Sequence, residues 1–296
     1  MDAIRRILVP IDFSELSEVA VRTAAGFARR EGARLRLVHA VRLPFFHTTY
    51  DINIPPSVWE GMAERARTRL EGTRDELDDA GLPGVELVVS DALQPAELVA
   101  SEAAKFQADL VVLSTHGRRG LRRAALGSVA EETVRISPVP VLAVKEEPLG
   151  PETLRRILVP VDFSTHSDEA VALARFLARR FDASLELLHV FEPSPEYARL
   201  LSEEIARFER HAREVGREKL EKLGARLEGE GLRVHTRLGE GRAADTIAEH
   251  AGSEQSDLIV MGTHGHRGFD RLALGSVAAR TLRRAPCPIL TTRSRA

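Results

Sequence analysis

The residues with the clearest chemical spacing are glycines. Gly262 and Gly265 are followed by nine residues and then by Gly275-Ser276, the pattern G-x2-G-x9-G-S. A glycine that opens a helix lets backbone approach a ligand closely, and the free amides of Gly275, Ser276 and Val277 would face an anion favoured by the helix dipole. That is phosphate chemistry. Arg267 and Arg271, between the glycines, are placed to neutralise further phosphates, and Ser276 either caps the helix or touches a phosphate oxygen. Elsewhere Asp12 and Asp162 each follow a short apolar run ending in Pro-Ile or Pro-Val. A carboxylate at a strand tip can accept from a ribose hydroxyl, or it can cap the following helix; the sequence leaves both open.

Several other chemistries are disfavoured. Neither the dinucleotide fingerprint G-x-G-x-x-G nor the P-loop G-x-x-x-x-G-K-[ST] occurs, and no G-x-S-x-G nucleophile elbow is present. His39 and His189 occupy matching places at the end of a strand, and His116 and His264 lie in matching loops. Lone histidines of this kind are more often hydrogen-bonded structural residues than ligands, and no zinc site is expected. The single cysteine, Cys287, rules out an intrachain disulfide and reads as core packing.

These residues occur twice. Arg5-Arg6-Ile7-Leu8-Val9-Pro10-Ile11-Asp12-Phe13-Ser14 returns 150 positions later as Arg155 to Ser164, with Ile11 replaced by Val161. Thr115-His116-Gly117 and Gly127-Ser128-Val129-Ala130 return 148 positions later. A period of this size is a whole domain rather than a solenoid unit. The join falls at Glu146 to Pro151, where two prolines and a glycine break the apolar pattern, giving domains at 1–147 and 152–296.

Within each repeat apolar runs alternate with amphipathic stretches. In the first, Ile7–Ile11, Leu35–Val41, Val85–Val89, Leu110–Leu113 and Val139–Val144 read as strands. Ser14–Arg30, Ala96–Phe106 and Val129–Ile136 read as helices, with one more charge-rich helix after a Leu43–Pro56 arm. Continuous Val/Ile/Leu runs joined through helices predict buried parallel strands, hence two tandem doubly wound α/β domains of five strands and four helices, Rossmann-like in class. In such sheets ligands meet the carboxyl ends of strands where the strand order reverses. Ser14 and Ser164 are expected to cap the first helix of each domain.

With 42 basic and 44 acidic side chains the formal charge is −2, which argues against coating nucleic acid. No run reaches the ~20 apolar residues of a bilayer span, and the first residues lack a signal-peptide pattern. A soluble cytoplasmic protein is the expectation.

Together, the Val-Pro-Val-Asp-Phe-Ser strand end, the Gly-Thr-His-Gly-His-Arg-Gly loop, the Leu-Gly-Ser-Val-Ala helix start and the Ala-Pro-Cys-Pro-Ile-Leu final strand resemble the universal stress protein family in two tandem copies. The resemblance implies ATP binding, with Mg²⁺ on the phosphates. Adenine and ribose would lie near the tips of strands one and two, and the phosphates at the glycine loop. Carried over residue by residue, it implies a second-domain site of Pro160, Val161, Asp162, Val190, Met261, Gly262, His264, Gly265, Arg267, Gly268, Gly275, Ser276 and Val277. The first domain matches at Pro10, Ile11, Asp12, Ala40, Gly117, Arg119, Gly120, Gly127, Ser128 and Val129. It departs at Ser114, which stands in place of the first motif glycine. The function implied is a nucleotide-responsive stress regulator. Two alternatives stand beside it: a slow ATPase or autokinase with Ser276 or water as acceptor, and a nucleotide-free structural or chaperone-like module. The resemblance further implies pairing of the final strands into an intrachain pseudo-dimer, with homodimerisation open.

Overall fold

A computed structural model describes residues 3–41, 55–115, 126–193, 203–264 and 274–292. The chain divides after Gly150 into two compact units. The first contains β1 (Arg6–Pro10), α1 (Glu15–Glu31), β2 (Arg34–Val41), α2 (Pro56–Asp79), β3 (Glu86–Asp91), α3 (Pro95–Phe106), β4 (Leu110–Ser114), α4 (Ser128–Ile136) and β5 (Val141–Val144). The second repeats the order as β6 (Arg156–Pro160), α5 (Thr165–Phe181), β7 (Ser184–Phe191), α6 (Glu203–Gly229), β8 (Val234–Glu240), α7 (Ala243–Ser253), β9 (Leu258–Gly262), α8 (Ser276–Arg284) and β10 (Ile289–Thr292).

Strand order within the first unit is β3-β2-β1-β4-β5, every neighbour parallel. The second unit repeats it as β8-β7-β6-β9-β10. The order reverses between β1 and β4, and between β6 and β9, so the tips of those strands bound the crevice where doubly wound sheets take ligands. The expected α/β class is therefore the observed one.

The central strands form because their side chains are apolar on both faces. Ile7, Leu8 and Val9 are wholly buried, as are Ile157, Leu158 and Val159. Each such side chain contributes about 1.5–3 kcal/mol of burial. The long helices α2 and α6 bury only narrow stripes, Ala66, Leu70 and Leu77 in one and Leu220 and Leu227 in the other, which leaves their remaining faces to charge. At the opposite end of the sheet from the crevice, Asp109 Oδ2 accepts the Arg5 and Arg6 amides at 2.8 and 2.9 Å, and Asp257 Oδ2 accepts those of Arg155 and Arg156 at 2.8 Å. These carboxylates tie each central strand to the segment entering its neighbour.

Some boundaries differ from the sequence reading. The last strand of the first unit starts at Val141, not Val139: Pro140 has no amide to donate, and Ser137 Oγ holds Val139 in a turn, donating to its carbonyl at 2.8 Å. Strand β1 ends at Pro10, one residue early, and α1 starts at Glu15, with Ser14 as its cap. The third strand runs 86–91 rather than 85–89. Most of the Leu43–Pro56 arm lies outside the described residues.

Candidate functional site

At the tip of β1 the chain leaves the sheet through Ile11, Asp12 and Phe13. Ile11 N–H donates to the Val38 carbonyl at 2.8 Å, so the first residue past the strand stays tied to β2. Asp12 Oδ1 then accepts from the Ser14 amide at 3.0 Å and the Ser14 hydroxyl at 2.5 Å. Ser14 Oγ in turn accepts the Ser17 amide at 3.2 Å and caps α1. The second unit repeats each contact: Asp162 Oδ1 takes the Ser164 amide at 3.0 Å and hydroxyl at 2.6 Å, and Ser164 Oγ takes the Ser167 amide at 3.3 Å. One oxygen of each strand-tip aspartate thus builds the turn and helix start. The expected caps at Ser14 and Ser164 are both present.

Between aspartate and serine stands a residue that sequence reading passed over. Phe13 and Phe163 both have φ of +62°, a left-handed conformation costing a non-glycine residue about 1–2 kcal/mol. Each phenyl ring lies against a histidine, with centroids 4.5 Å apart for Phe13–His39 and 4.7 Å for Phe163–His189. Arg69 lies over the Phe13 ring at 4.1 Å, and Lys219 over Phe163 at 5.5 Å. The Asp-Phe-Ser triplet recurs in both repeats, but nothing in those residue types signals the left-handed conformation.

The glycine loop is bounded by the tip of β9 and the start of α8. Gly275 N–H donates to the Thr263 carbonyl at 2.9 Å, and the Gly275 carbonyl accepts the first helical bond, from Ala279. A Cβ on Gly275 would lie 2.8 Å from that same Thr263 oxygen. The glycine is therefore required by the close pass of two backbones, whatever else the loop does. No side chain caps α8, and its first turn holds no acid. The amides of Ser276, Val277 and Ala278 accordingly lack intrahelical acceptors and point out of the helix start, the arrangement anions favour. Ser276 is exposed.

Around β9 the packing is equally close. A Cβ on Gly262 would meet the His166 Cβ and carbonyl oxygen at 3.0 Å, so the strand tip lies against the first turn of α5. Thr263 Oγ1 is 3.0 Å from His264 Nδ1, and the His264 and His166 rings are 5.4 Å apart.

Of the expected second-unit residues, Pro160, Val161 and Asp162 lie at the β6 tip, Val190 near the end of β7, Met261 and Gly262 at the end of β9, and Gly275, Ser276 and Val277 at the start of α8. In the first unit Pro10, Ile11 and Asp12 lie at the β1 tip, Ala40 near the end of β2, and Gly127, Ser128 and Val129 at the start of α4. Gly117, Arg119, Gly120, Gly265, Arg267 and Gly268 fall outside the described residues, as does Arg271.

The two units diverge within this shared geometry. Gly127 N–H also donates to a strand-tip carbonyl, that of Thr115, at 2.8 Å, and no side chain caps α4. Yet α4 continues with Glu131 and Glu132 where α8 has Ala279 and Arg280. Glu132 pairs with Arg135; that hydrogen bond holds the Glu132 carboxyl below its ordinary range. Helix α4 carries two glutamates and one arginine, whereas α8 carries three arginines and no acid. Laying the repeats over each other at the 148-residue offset would have shown this reversal.

Among the described residues no helix is long and apolar enough to cross a membrane, and no cluster of three His, Cys, Asp or Glu is arranged to hold a metal ion.

Comparison with known proteins gives a consistent kinship. The Universal stress protein family profile matches residues 3–145 and again 153–293. A universal stress protein of Mycolicibacterium smegmatis is 28% identical over 98% of this chain and 97% of its own length. One from Methanocaldococcus jannaschii is 35% identical over 49% of this chain and 85% of its own length. Among solved structures, a universal stress protein from Archaeoglobus fulgidus superposes with a TM-score of 0.73 at 21% identity, covering 97% of this chain and 96% of the other. That structural likeness concerns the fold.

Proposed function

The chain belongs to the universal stress protein family, in two tandem copies, and from that membership we propose that its second unit binds an adenine nucleotide as a regulator of stress responses. The ligand is ATP, with its phosphates at the start of α8 and its ribose and base towards the tips of β6 and β7. The observation that carries this reading is the start of α8: an uncapped, acid-free helix terminus held 2.9 Å from the strand tip through Gly275. Free first-turn amides, the helix dipole and the absence of an acid in the first turn all favour a polyanion there. Mg²⁺ enters as the counter-ion of the phosphates, which supply the hard oxygen ligands that it prefers.

The first unit is read differently. Ser114 replaces the first motif glycine, and Glu131 lies in the first turn of α4. A carboxylate there opposes a triphosphate, so in this reading the first unit stays empty at concentrations that fill the second.

Titration calorimetry of Mg·ATP into nucleotide-stripped protein tests this. One binding event per chain is expected. Ser276→Asp should abolish it, because the new carboxylate takes the phosphate position at an exposed N1 residue while suiting the helix dipole, so the loss cannot come from unfolding. Ser128→Asp should change nothing. Absence of heat from the wild type ends the nucleotide reading.

A further inference from the structure

The nucleotide reading makes no use of two histidines beneath the strand tips. His189 Nδ1 lies 2.7 Å from the carbonyl oxygen of Val161, and His39 Nδ1 lies 2.7 Å from that of Ile11. A carbonyl oxygen only accepts, so Nδ1 bears the proton and donates. The neutral ring is thereby fixed as the Nδ1–H tautomer.

Val161 is held from both sides. Its amide donates to the Leu188 carbonyl at 2.8 Å while its own carbonyl takes the imidazole N–H. Asp162 comes next, then Phe163 at positive φ, whose ring lies against the same imidazole. The far edge of that ring meets α6: a Cβ on Gly216 would come within 3.0 Å of His189 Cδ2 and 3.2 Å of Nε2. The imidazole is thus bounded by the tip carbonyl, the strained phenylalanine and the backbone of the long helix. In the first unit, Ile11, Phe13 and His39 repeat the carbonyl and ring contacts.

We infer that His189, and His39 in the first repeat, is a positioning residue: its Nδ1–H clamps the carbonyl immediately before the strand-tip aspartate and fixes the turn a nucleotide meets. The strain at Phe163 has to be over-determined by its surroundings to persist, and this clamp supplies part of that constraint. The inference rests on the nucleotide reading of the second unit. It adds a residue that touches no ligand and acts through the backbone of Val161.

The test exploits amide geometry. The Asn side-chain NH₂ falls where His Nδ1 does, whereas the Gln amide lies one carbon further out, where Nε2 does. Mg·ATP affinity of the full chain is measured for wild type, His189→Asn and His189→Gln. The expected result is loss of about tenfold in affinity for His189→Gln, with His189→Asn within about threefold of wild type. A merely space-filling role would give the two variants equal affinities, retained or lost, and that result overturns the clamp. Nitrogen-15 spectra of the wild-type histidines supply a second reading that needs no variant to fold: an Nε2–H tautomer at His189 overturns it directly. No binding by the wild type defeats the nucleotide reading first and the clamp with it, while normal wild-type binding and an undiminished His189→Gln defeat the clamp alone.

Discussion

The helices that close the two glycine loops begin alike and then part. Both open Gly-Ser-Val-Ala from an uncapped glycine tied to a strand-tip carbonyl, and then Glu131-Glu132 in one faces Ala279-Arg280 in the other. Geometry has been kept while charge has been reversed. The backbone being shared, any difference in field at the two helix starts comes from side chains. Glu131 lies in the first turn of α4, whereas α8 has an acid-free first turn followed by Arg280. The other two arginines of α8 lie in its last turn, with Arg284 beside Asp245. The strand tips tell the complementary story. Asp12 and Asp162, Ser14 and Ser164, Phe13 and Phe163, and His39 and His189 have matching contacts within 0.2 Å of one another in every hydrogen bond. That end of each unit has a folding task, which both repeats must perform.

The sharpest way to break the comparison is at Gly275. Gly275→Ala forces a Cβ to 2.8 Å from the Thr263 oxygen, so the β9 tip and the α8 start must separate. A cost of about 2–3 kcal/mol is expected from overpacking against backbone. Chemical denaturation followed on the full chain should show the loss in one transition region only, and Mg·ATP binding should fall with it. An unchanged denaturation profile would show that the close pass is not a constraint.

The charge reversal can be tested without touching the glycines. Glu131→Ala combined with Glu132→Arg gives α4 the residues that α8 has at these two positions, and should raise Mg·ATP affinity in the first unit about tenfold above that unit's original value. Arg280→Glu, at an exposed position of α8, should weaken the second-unit site by a similar factor. Both effects should shrink as salt rises, since exposed charges are screened within ~10 Å at 0.1 M. If affinity ignores both substitutions, Ser114 rather than charge separates the units, and Ser114→Gly becomes the variant that matters.

What could be read from the sequence divides along the same line. The parallel sheet was legible because Ile7, Leu8 and Val9, and their counterparts, are apolar on both faces, and the duplication made each assignment twice. The helix caps were legible because Ser14 and Ser164 sit two residues after an aspartate at a strand end. Less visible was how Asp12 spends its Oδ1: ribose contact and turn building ask for the same residue type, and its bonds from the Ser14 amide and hydroxyl show the second use. The left-handed phenylalanines were illegible for the opposite reason. Propensity disfavours the conformation, and the packing of His39 and His189 against the rings overrides it. Gly275 was read as ligand-facing, whereas its missing Cβ is already demanded by Thr263.

The conserved end can be sharpened by a symmetric pair. Ser14→Ala and Ser164→Ala each remove a cap and the hydroxyl donor to an aspartate oxygen, which keeps the backbone amide of the same residue. Each should cost about 1 kcal/mol. The comparison demands near equality of the two losses, measured from denaturation midpoints; a difference beyond error would show that the two strand tips, alike in geometry, differ in energy.

The smallest effect concerns acid, and lies away from the crevice. Glu86 on β3 meets Arg36 and Arg34, and Arg36 also reaches Glu102. Burial raises the Glu86 carboxyl, but the hydrogen bond and charge of Arg36, joined by Arg34, outweigh it and hold it below the usual carboxylate range. In the second unit the places of Arg36 and Glu102 are taken by Glu186 and His250, 2.7 Å apart. A lowered folded-state value means that the proton binds the unfolded chain more readily. The Glu86 contribution is therefore present above the unfolded value, ~4.3, and fades as pH falls through the folded one. Partial exposure limits it to a few tenths of a kcal/mol. Wild type should accordingly lose slightly more stability between about pH 5 and pH 3 than Glu86→Gln does. Identical acid profiles would mean that the Arg36 network holds Glu86 no more firmly than water does.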